Sequence, residues 1–153
     1  MKRALATVIL GAALLAGCRT TTVNPNALPP TFYTSAAKTM DAFSTILVNA
    51  QSLFTTAYQD GFVTAGQYQA GMKVFGQIAA SGEAIDVSIL AADSQASILA
   101  KIDSLASQIA TMPQAFAIKN PQSQAAFTAL TNSLVAVLRA VQSQLTTTAP
   151  AGK

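Results

Sequence analysis

The chain has 153 residues, 51% of them hydrophobic and only 10% charged, with no histidine, no tryptophan and a single cysteine. These absences exclude a serine–histidine nucleophile pair, zinc sites built on His or Cys, and an intramolecular disulfide. Ser, Thr, Gln and Asn supply most of the polar character, leaving a weakly charged surface of the kind that favours association with itself or with neighbours.

Lys2 and Arg3 precede an apolar run from Ala4 to Ala16, and Leu15-Ala16-Gly17-Cys18 closes it. A basic start, about a dozen apolar residues and small residues at the end form the pattern of a secretory signal. The closing tetrapeptide resembles the lipobox of bacterial lipoproteins. That resemblance implies cleavage between Gly17 and Cys18, a diacylglyceryl group on the Cys18 thiol, and acylation of the new amino terminus. It covers the first eighteen residues and carries no information about the domain that follows. An ordinary secretory signal with an incidental cysteine, or a cytosolic chain with an apolar first helix, would be the competing readings. The run is shorter than the about 20 residues needed to cross a bilayer, and no other segment looks apolar enough, so the mature chain is expected to lack a transmembrane helix. In Gram-negative lipoproteins an Asp after the lipidated cysteine commonly causes inner-membrane retention. Arg19 stands there instead, which on that resemblance favours an outer-membrane location facing the periplasm if the source has an outer membrane.

Nine basic residues against six acidic ones make the net charge +3, and loss of Lys2 and Arg3 would leave seven against six, or +1. No Lys/Arg cluster survives, so neither nucleic acid nor an anionic lipid surface is an expected partner. Membrane attachment would come from the acyl chains on Cys18, at about 0.8 kcal/mol per buried methylene.

The division expected from composition is a signal peptide at 1–17, a lipidated cysteine and flexible Pro/Thr-rich tether at 18–30, a helical bundle at 31–146 and a disordered tail at 147–153. The tether contains Thr20-Thr21-Thr22, Asn24-Pro25-Asn26 and Pro29-Pro30, which resist helix. Extended, its residues from Arg19 onward would reach about 30–40 Å.

A first helix is predicted from Thr31 or Ser35 to Gln59. Ala36, Met40, Phe43, Leu47, Ala50, Phe54 and Ala57 alternate spacings of four and three and so share one stripe, widened by Ile46, Leu53 and Tyr58. Asp60-Gly61 should end it, with Phe62 folding back on the last turn. Thr64 and Gln67 have the spacing of a capping box for the next helix. Asp60-Gly61-Phe62-Val63-Thr64 also resembles the second half of a calcium-binding EF-hand loop, but its other ligand places fall on Thr56, Tyr58 and Gln67, and the single carboxylate Asp60 would hold calcium poorly.

The second helix is expected over Ala65 to Ala92, with Tyr68, Met72, Phe75, Ile78 or Ala79, Gly82, Ile85, Ile89 and Ala92 inward. Gly66, Gly71, Gly76 and Gly82 each cost about 1 kcal/mol against Ala in an exposed helix, so close helix–helix approach is the expected reason for them. Their spacing of five, five and six argues against a GxxxG membrane contact. Asp93 or Ser94 can restart a helix, although an unbroken helix is the alternative. Ile98, Leu99, Ile102, Leu105, Ala106 and Ile109 define the third, which Met112-Pro113 should end. Gln114 to Lys119 then connects, with Phe116 and Ile118 tucked under the core. Asn120-Pro121 opens the last helix as cap and first turn. Its stripe is Phe127, Leu130, Leu134, Val137 or Leu138, Val141 and Leu145, and the chain should fray from Thr146.

The fold class these elements specify is all-α, a small antiparallel bundle of three to four amphipathic helices; the heptad-like stripes of the first and last also permit a coiled-coil oligomer. No catalytic, cofactor or metal site is expected. A serine–lysine dyad with Lys73 or Lys101 is formally possible, and Glu83 with Asp86, followed by Asp93, reads first as a solvated face. The functional expectation is a non-enzymatic envelope lipoprotein that binds envelope proteins or associates with itself, with no small-molecule substrate identified. A carrier that opens to hold a lipid or other amphiphile is the alternative, motivated by the Met, Phe, Ile and Gly content.

Overall fold

A computed structural model of the chain describes residues 30–148, Ala92 excepted. Four helices account for nearly all of them: α1 Pro30–Gln59, α2 Ala65–Leu90, α3 Gln95–Ala115 and α4 Pro121–Thr148. The described residues contain no strand. Helices α1 and α2, α2 and α3, α3 and α4, and α4 and α1 pack backbone against backbone, while diagonal helices meet through core side chains such as Phe75 of α2 and Phe127 of α4, so the four form a closed ring around one core. A chain with helical periodicity throughout and short links closes this way because each apolar stripe then faces the other three.

Neighbours run antiparallel. Phe43 lies against Gly82 and Phe54 against Gly71, so an eleven-residue step forward on α1 matches an eleven-residue step back on α2. On the other side, Gln95 at the start of α3 donates to the carbonyl of Leu145 near the end of α4, at 3.0 Å. The seven residues of the α1 stripe, Ala36 through Ala57, are all buried, whereas Ile46 and Leu53 are half-buried and Tyr58 is exposed. Inward positions resolve to Ile78 rather than Ala79 on α2 and to Leu138 rather than Val137 on α4; Tyr68, Met72, Leu99 and Leu130 sit half-buried at the edge. The stripes of α1 and α4 are spent on each other within a single chain.

The α1–α2 hairpin is built by local hydrogen bonds. Gly61 has φ +76°, Phe62 N–H donates to Ala57 O at 2.8 Å, and Gly61 N–H to Tyr58 O at 3.0 Å, the pair of bonds that defines a Schellman ending. Thr64 then caps α2, its side chain accepting from Gln67 N–H while Gln67 Oε1 accepts from Thr64 N–H at 3.0 Å. Asp60 and Gly61 thus belong to a helix stop.

Several boundaries differ from expectation. Helix α1 begins at Pro30 rather than Thr31 or Ser35, as suits a residue whose ring presets the first-turn φ. Helix α2 ends at Leu90 and α3 restarts under a Ser94 cap that accepts from Ser97 N–H, so the break is real; Ala92 lies outside the described residues. Pro113 does not end α3, which runs one half-turn further to Ala115. Phe116 N–H still reaches Met112 O at 2.9 Å, and Gln124 Nε2 donates to the Pro113 carbonyl at 3.0 Å. Near a helix end the missing proline N–H therefore disrupts little. Phe116 and Ile118 are buried as expected. Asn120 Oδ1 accepts from Ser123 N–H at 3.0 Å, capping α4. That helix persists to Thr148 rather than fraying at Thr146: the Thr146 and Thr147 hydroxyls donate back to Ser143 O. Residues 149–153 of the expected tail lie outside the described residues.

Composition also understated α4. Among the described residues it is the one helix long and apolar enough to cross a membrane by length and composition. Abundant Ala and Val raise its average, yet Phe127, Leu134, Leu138, Val141 and Leu145 are each 0% exposed inside the bundle.

Only two of the four α2 glycines meet a neighbour. A Cβ on Gly71 or Gly82 would strike Phe54 or Phe43, while one on Gly66 or Gly76 would meet nothing within 4 Å. Gly76→Ala is accordingly expected to stabilise the bundle by about 0.5–1 kcal/mol through helix propensity, read as a rise of a few degrees in the thermal midpoint by circular dichroism. A fall would mean that Gly76 has a contact the fold does not show.

Candidate functional site

Cys18, the expected lipidation site, and Gly17 beside it lie outside the described residues, as do the expected signal peptide and the expected tether up to Pro29. What the fold does locate is the end of the bundle at which α1 begins. The start of α1, the α2–α3 link and the end of α4 share that end, because α1 runs antiparallel to both α2 and α4. The opposite end is closed by Lys119 N–H donating to Phe62 O at 3.0 Å, above buried Val63, Phe116 and Ile118.

The interior between the helices is occupied by the protein's own side chains. Phe54 sits at 0% exposure with the rings of Phe75, Phe116 and Phe127 centred 5.9, 5.8 and 5.7 Å away. Ile78, Ile85, Ile89, Ile98, Ile102, Ile109, Leu134 and Met112 fill the levels toward the tether end and the α3–α4 side. The two buried hydroxyls are satisfied: Thr131 donates to Phe127 O and Thr128 O, and Ser88 accepts from Lys101.

The best-formed concavity lies at the edge of this core, between α1 and α2, over the almost fully buried Met40, Phe43 and Leu47. It measures about 310 Å³ and runs from Met40 to Gln51 along α1. Phe43, Met40 and Leu47 form its floor, and Ala79 and Gly82 give α2 a low wall. Asp41 comes to its rim from α1, Glu83 and Asp86 from α2, and no Lys or Arg lines it. The solvated face expected of Glu83 and Asp86 is therefore one edge of a groove. Asp93 turns away from it to Lys101. Sequence reading missed Asp41 as their companion, although the register set by Phe43 on Gly82 places residue 41 opposite that turn of α2.

Lys101 Nζ donates to the Ser88 hydroxyl and lies 3.5 Å from Asp93 Oδ2. This is the serine–lysine pairing that was formally open. Its geometry ties α3 to the last turn of α2: the hydroxyl is buried within a helix whose amides are already bonded, and the ammonium keeps a carboxylate partner and solvent access. Lys73 is exposed on α2 and joins no such pair. Among the described residues no group of three or more His, Cys, Asp or Glu is placed to hold a metal ion.

Exposed apolar side chains complete the outer surface. Val48 on α1, at 63% exposure, borders the groove, and Val87 and Leu90 project from the last turns of α2. No family model matches the chain, and no curated protein or solved structure matches it either.

Proposed function

We propose that the protein is a lipid-anchored lipoprotein of the bacterial envelope whose bundle works without catalysis, by binding other envelope proteins. Acylated Cys18 would hold it to the outer membrane on the periplasmic side, and the 18–29 stretch would serve as the spacer. The observation that carries the binding role is the contrast between inside and outside. The core is filled by its own aromatic and aliphatic side chains, while Val48, Val87, Leu90 and a groove with an acidic rim face outward. Exposed apolar surface beside a packed interior is a feature of protein-binding modules.

The groove also gives the carrier reading its one specific support, since a lipid tail could lie on the floor formed by Met40, Phe43 and Leu47. The two are separated by native mass spectrometry of the protein extracted from membranes, together with crosslinking in intact cells. The binding reading expects no lipid beyond the covalent anchor and a reproducible crosslink from Val48 or Leu90 to a defined envelope protein. A stoichiometric non-covalent lipid would overturn it in favour of the carrier.

A further inference from the structure

The α1–α2 groove has the shape and charge to receive one kind of partner. We propose that it binds a basic amphipathic helix of another protein, with bulky apolar side chains on the floor and Lys or Arg at the edges; this rests on the protein-binding reading above and specifies its surface. The lining along α1, Met40 to Gln51, covers about three helical turns, or about 16 Å. A trough of that length between two antiparallel helices accommodates anchors at i, i+3 or i+4, and i+7 of an incoming helix. Its depth arises where α2 presents Ala79 and Gly82 instead of larger side chains, leaving the edge of the Phe43 ring as floor.

Charge selects the occupant. Asp41, Glu83 and Asp86 are the only ionised side chains in the lining, and they stand on both walls. The two ion pairs among the described residues, Lys101 with Asp93 and Arg139 with Asp103, involve none of the three rim carboxylates. Carboxylates on both walls favour a partner carrying Lys or Arg on both flanks of its apolar stripe. An acidic helix of the same apolar pattern would bring like charge to the rim.

The test uses the mature lipidated protein in phosphatidylcholine nanodiscs, with empty discs as the blank. The probe is a fluorescent 18-residue peptide carrying Leu at heptad spacing and flanking Lys, set against a Glu-flanked counterpart. The Lys peptide should bind, more weakly as salt rises from 50 to 300 mM, and the Glu peptide should not. The triple substitution Asp41→Asn, Glu83→Gln, Asp86→Asn should weaken binding about tenfold or more. Ser44→Trp, at an exposed position in the lining, should block it without lowering the thermal midpoint. Equal binding of both peptides, or binding indifferent to these variants, would overturn the proposal. So would displacement by equimolar dodecyltrimethylammonium, which would assign the groove to a cationic amphiphile, or dimerisation of the chain abolished by Ser44→Trp, which would assign it to a second copy. If the groove fails while crosslinking still captures an envelope protein through Leu90, the binding reading stands and only its surface moves.

Discussion

Phe54→Ala is expected to destabilise the bundle by about 3–5 kcal/mol, a large part of the about 5–15 kcal/mol that holds a domain of this kind folded. Phe54 joins three parts of the core: α1, which carries it; α2, through Tyr68 and Phe75; and the α3–α4 side, through Phe116 and Phe127. Removing the ring leaves a cavity walled by other rings, which cannot collapse inward without losing their own contacts. The same ring makes Gly71 intolerant. An added Cβ would lie 2.4 Å from Phe54 Cε1 and 2.8 Å from Cζ. The surrounding rings leave Phe54 little room to turn, so Gly71→Ala should cost about 1–3 kcal/mol despite the helix propensity gained. Gly82→Ala approaches Phe43 at 2.9 Å, but Phe43 borders the open groove and can swing into it, so that substitution should be milder. Urea unfolding followed by circular dichroism ranks the series. The contact also predicts coupling: Phe54→Leu should recover part of the loss in a Gly71→Ala background. If Gly71→Ala were as stable as Gly76→Ala, the ring would have to be free to move and this account of the core would be wrong.

The second large effect concerns location. Cys18→Ala is expected to shift the protein from the membrane fraction to the soluble fraction, with loss of the diacylglyceryl and acyl mass from the mature chain. Each long acyl chain contributes on the order of 10 kcal/mol of membrane affinity, which the variant would lose. The bundle starts twelve residues beyond Cys18, so its thermal midpoint should not change. Intact-mass spectrometry and membrane fractionation read both arms. A Cys18→Ala variant that still sediments with membranes would sink the lipoprotein assignment, and α4 would then be the segment to examine, since by length and composition alone it could span a bilayer.

The features legible in the sequence are those made by residues close together in the chain. The seven-residue stripe of α1, the Schellman ending at Gly61 and the Thr64–Gln67 capping box depend on neighbours within five positions, and the structure places each as read. Pro113 was misread because the N–H it lacks removes one backbone bond while Phe116 N–H still reaches Met112 O beyond it; a residue of another helix, Gln124, then takes up the Pro113 carbonyl. The four glycines of α2 look alike in sequence. Only the antiparallel register with α1 separates Gly71 and Gly82, which face phenylalanines, from Gly66 and Gly76, which face open space.

The same division holds for function. By itself the sequence determined the helical class, the absence of histidine and thiol-pair chemistry, and the lipobox resemblance that motivates an anchor at Cys18, because these depend on composition and on short contiguous patterns. Tertiary structure alone decided that Asp41 joins Glu83 and Asp86 around one groove, that Ser88 meets Lys101, and that the apolar residues of α4 are turned inward. These relations arise between helices, where the choice of register is made by packing rather than by the order of residues along one helix.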